Sequence, residues 1–145
     1  MPESSIKERL LREEAMASRE AEKIRDGVWN SEGELRALVR AYILFKLSLY
    51  DPPSERERIN ELVRDSLIKT LRAEGKGLEK LDVTARCDGS NAVRSKRILL
   101  FMAVQRSMGI KLPPDKTAGI DTVGDLTALV LAELRHLPEG ELKAR

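Results

Sequence analysis

Aromatic residues, cysteine and histidine are all scarce in this chain of 145 residues. Only 3% of the residues are aromatic, so a core has to be built mainly from aliphatic side chains and methionine. The single cysteine, Cys87, excludes an intramolecular disulfide and suits a reducing compartment. A Cys–His metal site or catalytic pair requires Cys87 to meet the single histidine, His136, and we expect no such pair. Because no nucleophile–base pair, carboxylate pair or metal-ligand cluster is suggested, we expect no enzymatic activity and no bound metal.

Long apolar runs and a large excess of one charge are also missing. The most apolar stretch, Ala41 to Tyr50, contains Lys46 and is far too short to span a bilayer. The N-terminus is charged and lacks the apolar run of a signal peptide, so we expect a cytoplasmic protein without membrane insertion. A net charge of +2 is too small to indicate nucleic acid by itself. Repeats, low-complexity segments and Gly-rich nucleotide-binding motifs are absent from the sequence.

Charged residues make up 34% of the chain and hydrophobic residues 41%, which is typical of a soluble helical protein. Three Ser-x-x-Glu sequences have the form of a capping box and predict helix starts at Ser5, Ser31 and Ser54. Behind the first, a thin apolar seam includes Leu10 and Ile24 and repeats at intervals of seven. This weak seam favours a helix laid on the body of the protein over a coiled coil.

The second predicted helix, from Leu35 to about Leu49, is apolar on more than one face. It follows a break from Gly27 to Asn30, where we expect Trp29 to anchor the turn against a neighbour. A helix that is apolar on several faces is usually buried between partners. Two interpretations remain open: the helix completes the core, which we favour, or part of it is a docking face for another chain.

The third predicted helix runs from Ser54 to about Ala73, and a long loop from Leu78 to Val93 follows it. The segment from Arg94 to Leu134 then predicts a helix, a short extended break, a loop and a last helix. Its first helix carries a broad apolar stripe that we expect to be buried, formed by Ile98, Leu100, Phe101, Met102, Val104 and Met108. Gly109 is suited to end that helix, and the T-x-x-D sequence from Thr122 to Asp125 predicts the next start.

Two short sequences in this segment resemble signals of the acyl carrier protein family. They are Gly109-Ile110-Lys111-Leu112-Pro113, which is similar to the break after the family's second helix, and Thr122-Val123-Gly124-Asp125-Leu126, which is similar to the opening of its last helix. The resemblance implies an all-α fold: an acyl-carrier-protein-like four-helix bundle with two additional N-terminal helices. We therefore divide the chain into an N-terminal helical extension packed on the bundle (1–50), the bundle itself (51–137) and a frayed C-terminal tail (138–145).

The attachment site of the family departs from its pattern here. Carrier proteins bear 4′-phosphopantetheine on the serine of an Asp-Ser-Leu motif, and the resemblance places Val93-Arg94-Ser95 at that motif, with Arg94 at the serine position. Arginine cannot form the phosphodiester, so we expect no prosthetic group. Ser95 is one residue late, and a helix turns it by about 100° from Arg94, toward the expected core. Ser90 is four residues early, close to one helical turn. These two serines are the attachment candidates if the chain is a working carrier.

A cationic cluster of Arg94, Lys96 and Arg97 follows the attachment position. The family usually shows its enzymes an acidic second helix, so this reversed sign discourages the usual partners and predicts a different partner surface. The alternative is a solvated helix start with no binding role.

Three functional hypotheses follow from the sequence. We favour a degenerate carrier-like module that binds another macromolecule, most simply a protein such as an enzyme of a fatty-acid or polyketide pathway. The second hypothesis is a working acyl carrier modified at Ser95 or, as the less favoured site, at Ser90. The third is an unrelated small helical regulator or nucleic-acid binder.

Overall fold

The computed structural model describes the backbone of residues 3–73 and 89–136 and the side chains of residues 6–72 and 92–136. All regular secondary structure in these residues is helical, which confirms the predicted all-α class. The helices are α1 (Glu3–Arg25), α2 (Glu32–Lys46), α3 (Ile59–Ala73), α4 (Gly89–Met108), α5 (Pro114–Thr117) and α6 (Val123–His136). In the same residues, extended backbone pairing is limited to two isolated bridges, Tyr50 with Pro53 and Arg58 with Thr122.

Two of the predicted caps set helix starts as expected. At the start of α2, the Glu34 backbone N–H donates to Ser31 Oγ at 3.1 Å, and the Glu34 carboxylate accepts from the Asn30 N–H at 2.7 Å. At the start of α6, the Asp125 N–H donates to Thr122 Oγ1 at 3.1 Å, and the Thr122 N–H donates back to Asp125 Oδ2 at 3.1 Å. These bonds satisfy backbone donors that have no partner inside the helix.

The predicted caps at Ser5 and Ser54 do not start helices. Helix α1 already begins at Glu3, before Ser5. Residues 54–58 are not helical, and α3 begins only at Ile59. The Glu57 carboxylate binds Arg36 at 2.8 Å and Arg40 at 2.9 Å instead of capping its own backbone. The backbone of this segment also pairs with the segment before α6, since the Ile59 N–H donates to Asp121 O and the Val123 N–H donates to Glu57 O. Tertiary contacts thus override the local signal.

Helix α2 lies inside the protein, as the favoured interpretation of its apolar faces predicts. It packs against both α1 and α6. Its buried side chains are Leu35, Val39, Tyr42, Ile43, Leu44 and Phe45. The Tyr42 hydroxyl lies 2.9 Å from Ser107 Oγ, and burial raises the pKa of this tyrosine. Trp29 packs against the same core and donates from Nε1 to Ile24 O at 3.1 Å, as expected of an anchor at the break.

Helix α1 lies along α2 and also contacts α4, which agrees with a helix laid on the body of the protein. Only the second half of its apolar seam is covered: Ala17, Ala21 and Ile24 are buried, whereas Leu10 is 49% exposed. Lys46 binds Glu14 at 2.9 Å across the α1–α2 contact.

Several expectations fall outside the described residues. They concern most of the predicted loop from Leu78, Cys87, and the tail from 138 to 145. The predicted loop is wrong for residues 89–93, which belong to α4. Among the helices that the structure describes, none is long and apolar enough to cross a membrane.

Candidate functional site on helix α4

The start of α4 decides where the predicted site residues lie. The helix begins at Gly89, so Ser90 is its second residue, whereas Arg94 and Ser95 lie in its second turn. Val93, predicted to be in a loop, belongs to this helix and packs on the core. The position that resembles the attachment site is therefore one turn inside a helix rather than at its beginning.

Arg94 and Ser95 both face solvent. The expectation that the Ser95 side chain turns toward the core is therefore wrong. Ser95 lies on the same side of α4 as the exposed residues Leu99 and Met102, away from the residues that pack on the core. An exposed hydroxyl and an exposed guanidinium thus stand next to each other in the second turn.

Arg97 is used inside the protein. Its guanidinium donates to Asn60 Oδ1 at 2.8 Å, Thr117 O at 2.9 Å and Ile120 O at 2.6 Å. It also lies over the Phe101 ring, 5.0 Å from the centroid, in a cation–π contact. Burial lowers the pKa of this arginine, and the nearby Asp121 carboxylate partly offsets that effect. One side chain therefore joins α3, α4 and the segment from α5 to α6.

Lys96 is half-buried, and this burial lowers the pKa of its ammonium group. A helix turns by about 100° per residue, so Lys96 leaves α4 about 160° away from Arg94, whereas Arg97 lies only about 60° from Arg94 and lines the same groove. The structure therefore does not bring the predicted cationic cluster together on one face. Of its three members, Arg94 alone is exposed, whereas Lys96 and Arg97 are partly buried.

The structure instead exposes apolar side chains beside Arg94. Ile98 is 50% exposed, Leu99 is 61% exposed and Met102 is 44% exposed. Two of these, Ile98 and Met102, belong to the stripe that we expected to be buried, and that expectation is wrong for them. The other members of the predicted stripe are buried, namely Leu100, Phe101, Val104 and Met108. Apolar residues cover too wide an arc of α4 for all of them to reach the core.

We define the α4 face as the exposed residues Arg94, Ser95, Ile98, Leu99, Met102 and Arg106. On a helix these positions fall within an arc of roughly 140°. The face therefore has an apolar centre, with a cation near each end. Large exposed apolar side chains gathered on one helix commonly mark an interaction site.

The charge of α4 differs from that of the rest of the chain. The helix holds four of the 26 basic residues and none of the 24 acidic residues, which leaves 22 basic against 24 acidic residues elsewhere. The whole positive excess of the protein therefore comes from this helix.

A groove of about 1140 Å³ borders the α4 face. It lies between α3, α4 and the segment from α5 to α6, and its lining includes Arg64, Arg94, Ile98, Phe101 and Ile120. Arg94 and Ile98 belong to both the groove and the α4 face, so the two form one continuous surface.

Two acidic side chains also line the groove, and both are already paired. Glu61 lies 3.4 Å from Arg56, and Asp121 lies 3.4 Å from Arg58. Exposed Arg64 and Arg94 therefore leave the groove with a positive edge.

Metal binding and Cys–His chemistry find no support in the described part of the chain. No group of three or more His, Cys, Asp or Glu side chains there is arranged to hold a metal ion. His136 is exposed in the last turn of α6, and Cys87 lies outside the described residues.

Comparisons with models of protein families, with curated proteins and with solved structures find no match to this chain.

Proposed function

We propose that the chain is an acyl-carrier-protein-like helical module that carries no prosthetic group and acts by binding another protein. The observation that supports this most strongly is the α4 face, which is both apolar and cationic at the place where the resemblance puts the serine-bearing helix. The four helices α3 to α6 agree in number with the proposed carrier-like bundle, and α1 and α2 are then the additional helices.

The absence of a prosthetic group follows from the chemistry of Arg94. A guanidinium offers no hydroxyl for a phosphodiester, and this side chain is exposed rather than buried. Because α4 carries four cations and no acid, it also has the opposite charge from the helix that carriers usually show their enzymes. A partner suited to this surface has to be acidic, since like charges across an interface are penalised.

A working carrier remains the second candidate, and one observation favours it. Helix α4 begins at Gly89, so Ser90 occupies the first turn, the place where the family has its modified serine. Ser95, which the sequence favoured, is exposed but lies a turn inside the helix, so it becomes the less favoured attachment site.

Intact-mass spectrometry separates the two candidates. The full chain is co-expressed with a phosphopantetheinyl transferase of broad specificity, and an ordinary carrier protein in the same cells serves as the positive control. We expect the carrier to gain the mass of the arm and this chain to keep its unmodified mass.

The variants Ser90→Ala and Ser95→Ala locate any modification that does occur. A gain in mass that disappears in one of the two variants would establish the working carrier and reject the proposal. A gain that survives both substitutions would place the modification elsewhere and reject it as well.

A further inference from the structure

The α4 face and its groove are specific enough to indicate what kind of partner they accept. The exposed centre consists of Ile98, Leu99 and Met102, which are 50%, 61% and 44% exposed. From Arg94 to Arg106 the face is about 18 Å long, since a helix rises 1.5 Å per residue. This length fits a helix of three to four turns better than a single inserted side chain.

The charges around this centre select for an acidic occupant. Arg94 and Arg106 stand near its two ends, Arg64 adds a third exposed cation across the groove, and α4 has no acidic side chain to oppose an anion. Arg97 also lines the groove, but its guanidinium already donates to Asn60 Oδ1, Thr117 O and Ile120 O. It shapes the groove rather than serving a partner.

The apolar centre argues against other anionic partners. Nucleic acid binds through many phosphate contacts, and three apolar side chains in the middle of the face supply none. An amphipathic helix satisfies both parts of the surface, because its apolar stripe can meet Ile98, Leu99 and Met102 while acidic residues beside the stripe meet the arginines.

We propose that the α4 face and the adjoining groove bind an acidic amphipathic helix of a partner protein, with apolar residues of that helix on Leu99 and in the groove beside Ile98, and with carboxylates on Arg94 and Arg106. This proposal rests on the proposed function, since it names the partner class for the same surface.

The test uses a displayed library of helical peptides, about 16 residues and roughly 24 Å long. The library is selected on the full-length protein and is not biased in charge. We expect the selected peptides to carry apolar residues at helical spacing with Asp or Glu beside them. Their affinity should fall as salt rises from about 50 to 500 mM, because exposed charges are then screened.

Matched variants show where the peptides bind. Leu99→Asp should weaken them by about tenfold or more, as expected of a central apolar contact. Leu11→Asp on α1 should leave their affinity unchanged, because Leu11 is 62% exposed and closely matches Leu99 at 61%. Arg94→Glu should also weaken binding, whereas Arg19→Glu, another exposed arginine, should not. Thermal unfolding of each variant checks that the fold is kept.

Any of three results would overturn the proposal: the selection yields no binders, the selected peptides are neutral or basic, or they bind the Leu99→Asp and Leu11→Asp variants equally well. Three further measurements examine other occupants of the face. They are binding to single-stranded RNA, binding to anionic phosphatidylserine vesicles, and self-association of the protein alone by sedimentation equilibrium. Binding or self-association in any of these measurements that Leu99→Asp abolishes assigns the face to that occupant instead.

The outcome is independent of the mass measurement. A chain that gains the prosthetic group and still binds acidic helices through Leu99 rejects the proposed function and retains this inference. A chain without the group that binds no acidic helix rejects this inference alone.

Discussion

At the scale of the residue, side chains that look alike in the sequence have different tasks. Arg94 and Arg97 are three positions apart, yet Arg94 is exposed and Arg97 donates to a side chain and two carbonyl groups on neighbouring segments. Only Arg97 therefore contributes substantially to holding α3, α4 and the α5–α6 segment together.

Replacing Arg97 should lower stability. Arg97→Met removes the donor from Asn60, Thr117 O and Ile120 O, and we expect the free energy of unfolding to fall by about 1–3 kcal/mol. Urea unfolding followed by circular dichroism measures the change. The control Arg94→Met should stay within about 0.5 kcal/mol of the original protein, as is usual for exposed positions. Equal effects of the two substitutions would contradict the role given to Arg97.

The cap at Asp125 should make stability depend on pH. Backbone hydrogen bonds from Asp121 and Thr122 lower the pKa of the Asp125 carboxyl. A carboxyl whose pKa is lower in the folded state stabilises the fold above its unfolded pKa, near 3.9, and loses that effect as pH falls through the folded pKa. The stability advantage over Asp125→Asn should thus be present at about pH 6 and shrink at acid pH. An advantage independent of pH in urea titrations would show that the charge has no part in the cap.

At the scale of the element, the helix ends that local residues cap are more predictable than the helix faces. The caps at Ser31 and Thr122 and the stop at Gly109 depend on residues close in sequence, so they could be read directly. The failure of the capping box at Ser54 could not be predicted from nearby residues, because Glu57 binds Arg36 and Arg40, which are distant in sequence.

The faces of α4 could not be predicted for a related reason. Its apolar residues cover a broad arc, and periodicity does not say which part of such an arc meets the core. Leu100, Phe101 and Val104 are buried as expected, whereas Ile98 and Met102 are exposed. The candidate surface therefore became visible only once the neighbours of α4 were known. A broader apolar arc than one packed face requires is the signal that could have indicated it.

The end of α4 supplies a prediction at this scale. Gly109 has a φ of 66°, and the Ile110 N–H reaches back to Gln105 O at 3.2 Å in the arrangement of a Schellman cap. Gly109→Ala should lower the free energy of unfolding by about 1–2 kcal/mol, because Cβ is strained in this conformation. Gly33→Ala inside α2 is the matched control and should be neutral or stabilising, since its Cβ meets only Ser31 Oγ at 3.7 Å. A destabilisation of similar size at both sites, measured by thermal unfolding, would reject this explanation.

At the scale of the whole molecule, the N-terminal helices and the proposed carrier-like bundle share one core. Buried residues of α1 and α2 belong to the same cluster as those of α3, α4 and α6. Arg25 Nη1 donates to Ser107 O at 3.2 Å and adds a polar contact between α1 and α4. The apolar faces of α2 predicted this packing, whereas the resemblance does not extend to the first fifty residues.

Loss of α2 should therefore destabilise the bundle. Ile43 is fully buried, and Ile43→Ala should lower the free energy of unfolding by about 2–5 kcal/mol through lost contacts and a residual cavity. Leu11→Ala on the exposed side of α1 is the control, with an expected change within about 0.5 kcal/mol. A chain that starts at Asp51 should aggregate or melt well below the full chain. A monomeric shortened chain of equal stability would mean that α2 is a dispensable docking element.

The claim that α4 is the binding surface is tested most directly by nuclear magnetic resonance. The nitrogen-15-labelled full chain is titrated with an acidic amphipathic helical peptide obtained by the display selection. We expect amide shifts to change along residues 94–106 of α4 and along the groove residues of α3 and of the α5–α6 segment, while the shifts of the first half of α1 stay unchanged. Shift changes concentrated on α1 or spread evenly over the molecule would contradict it.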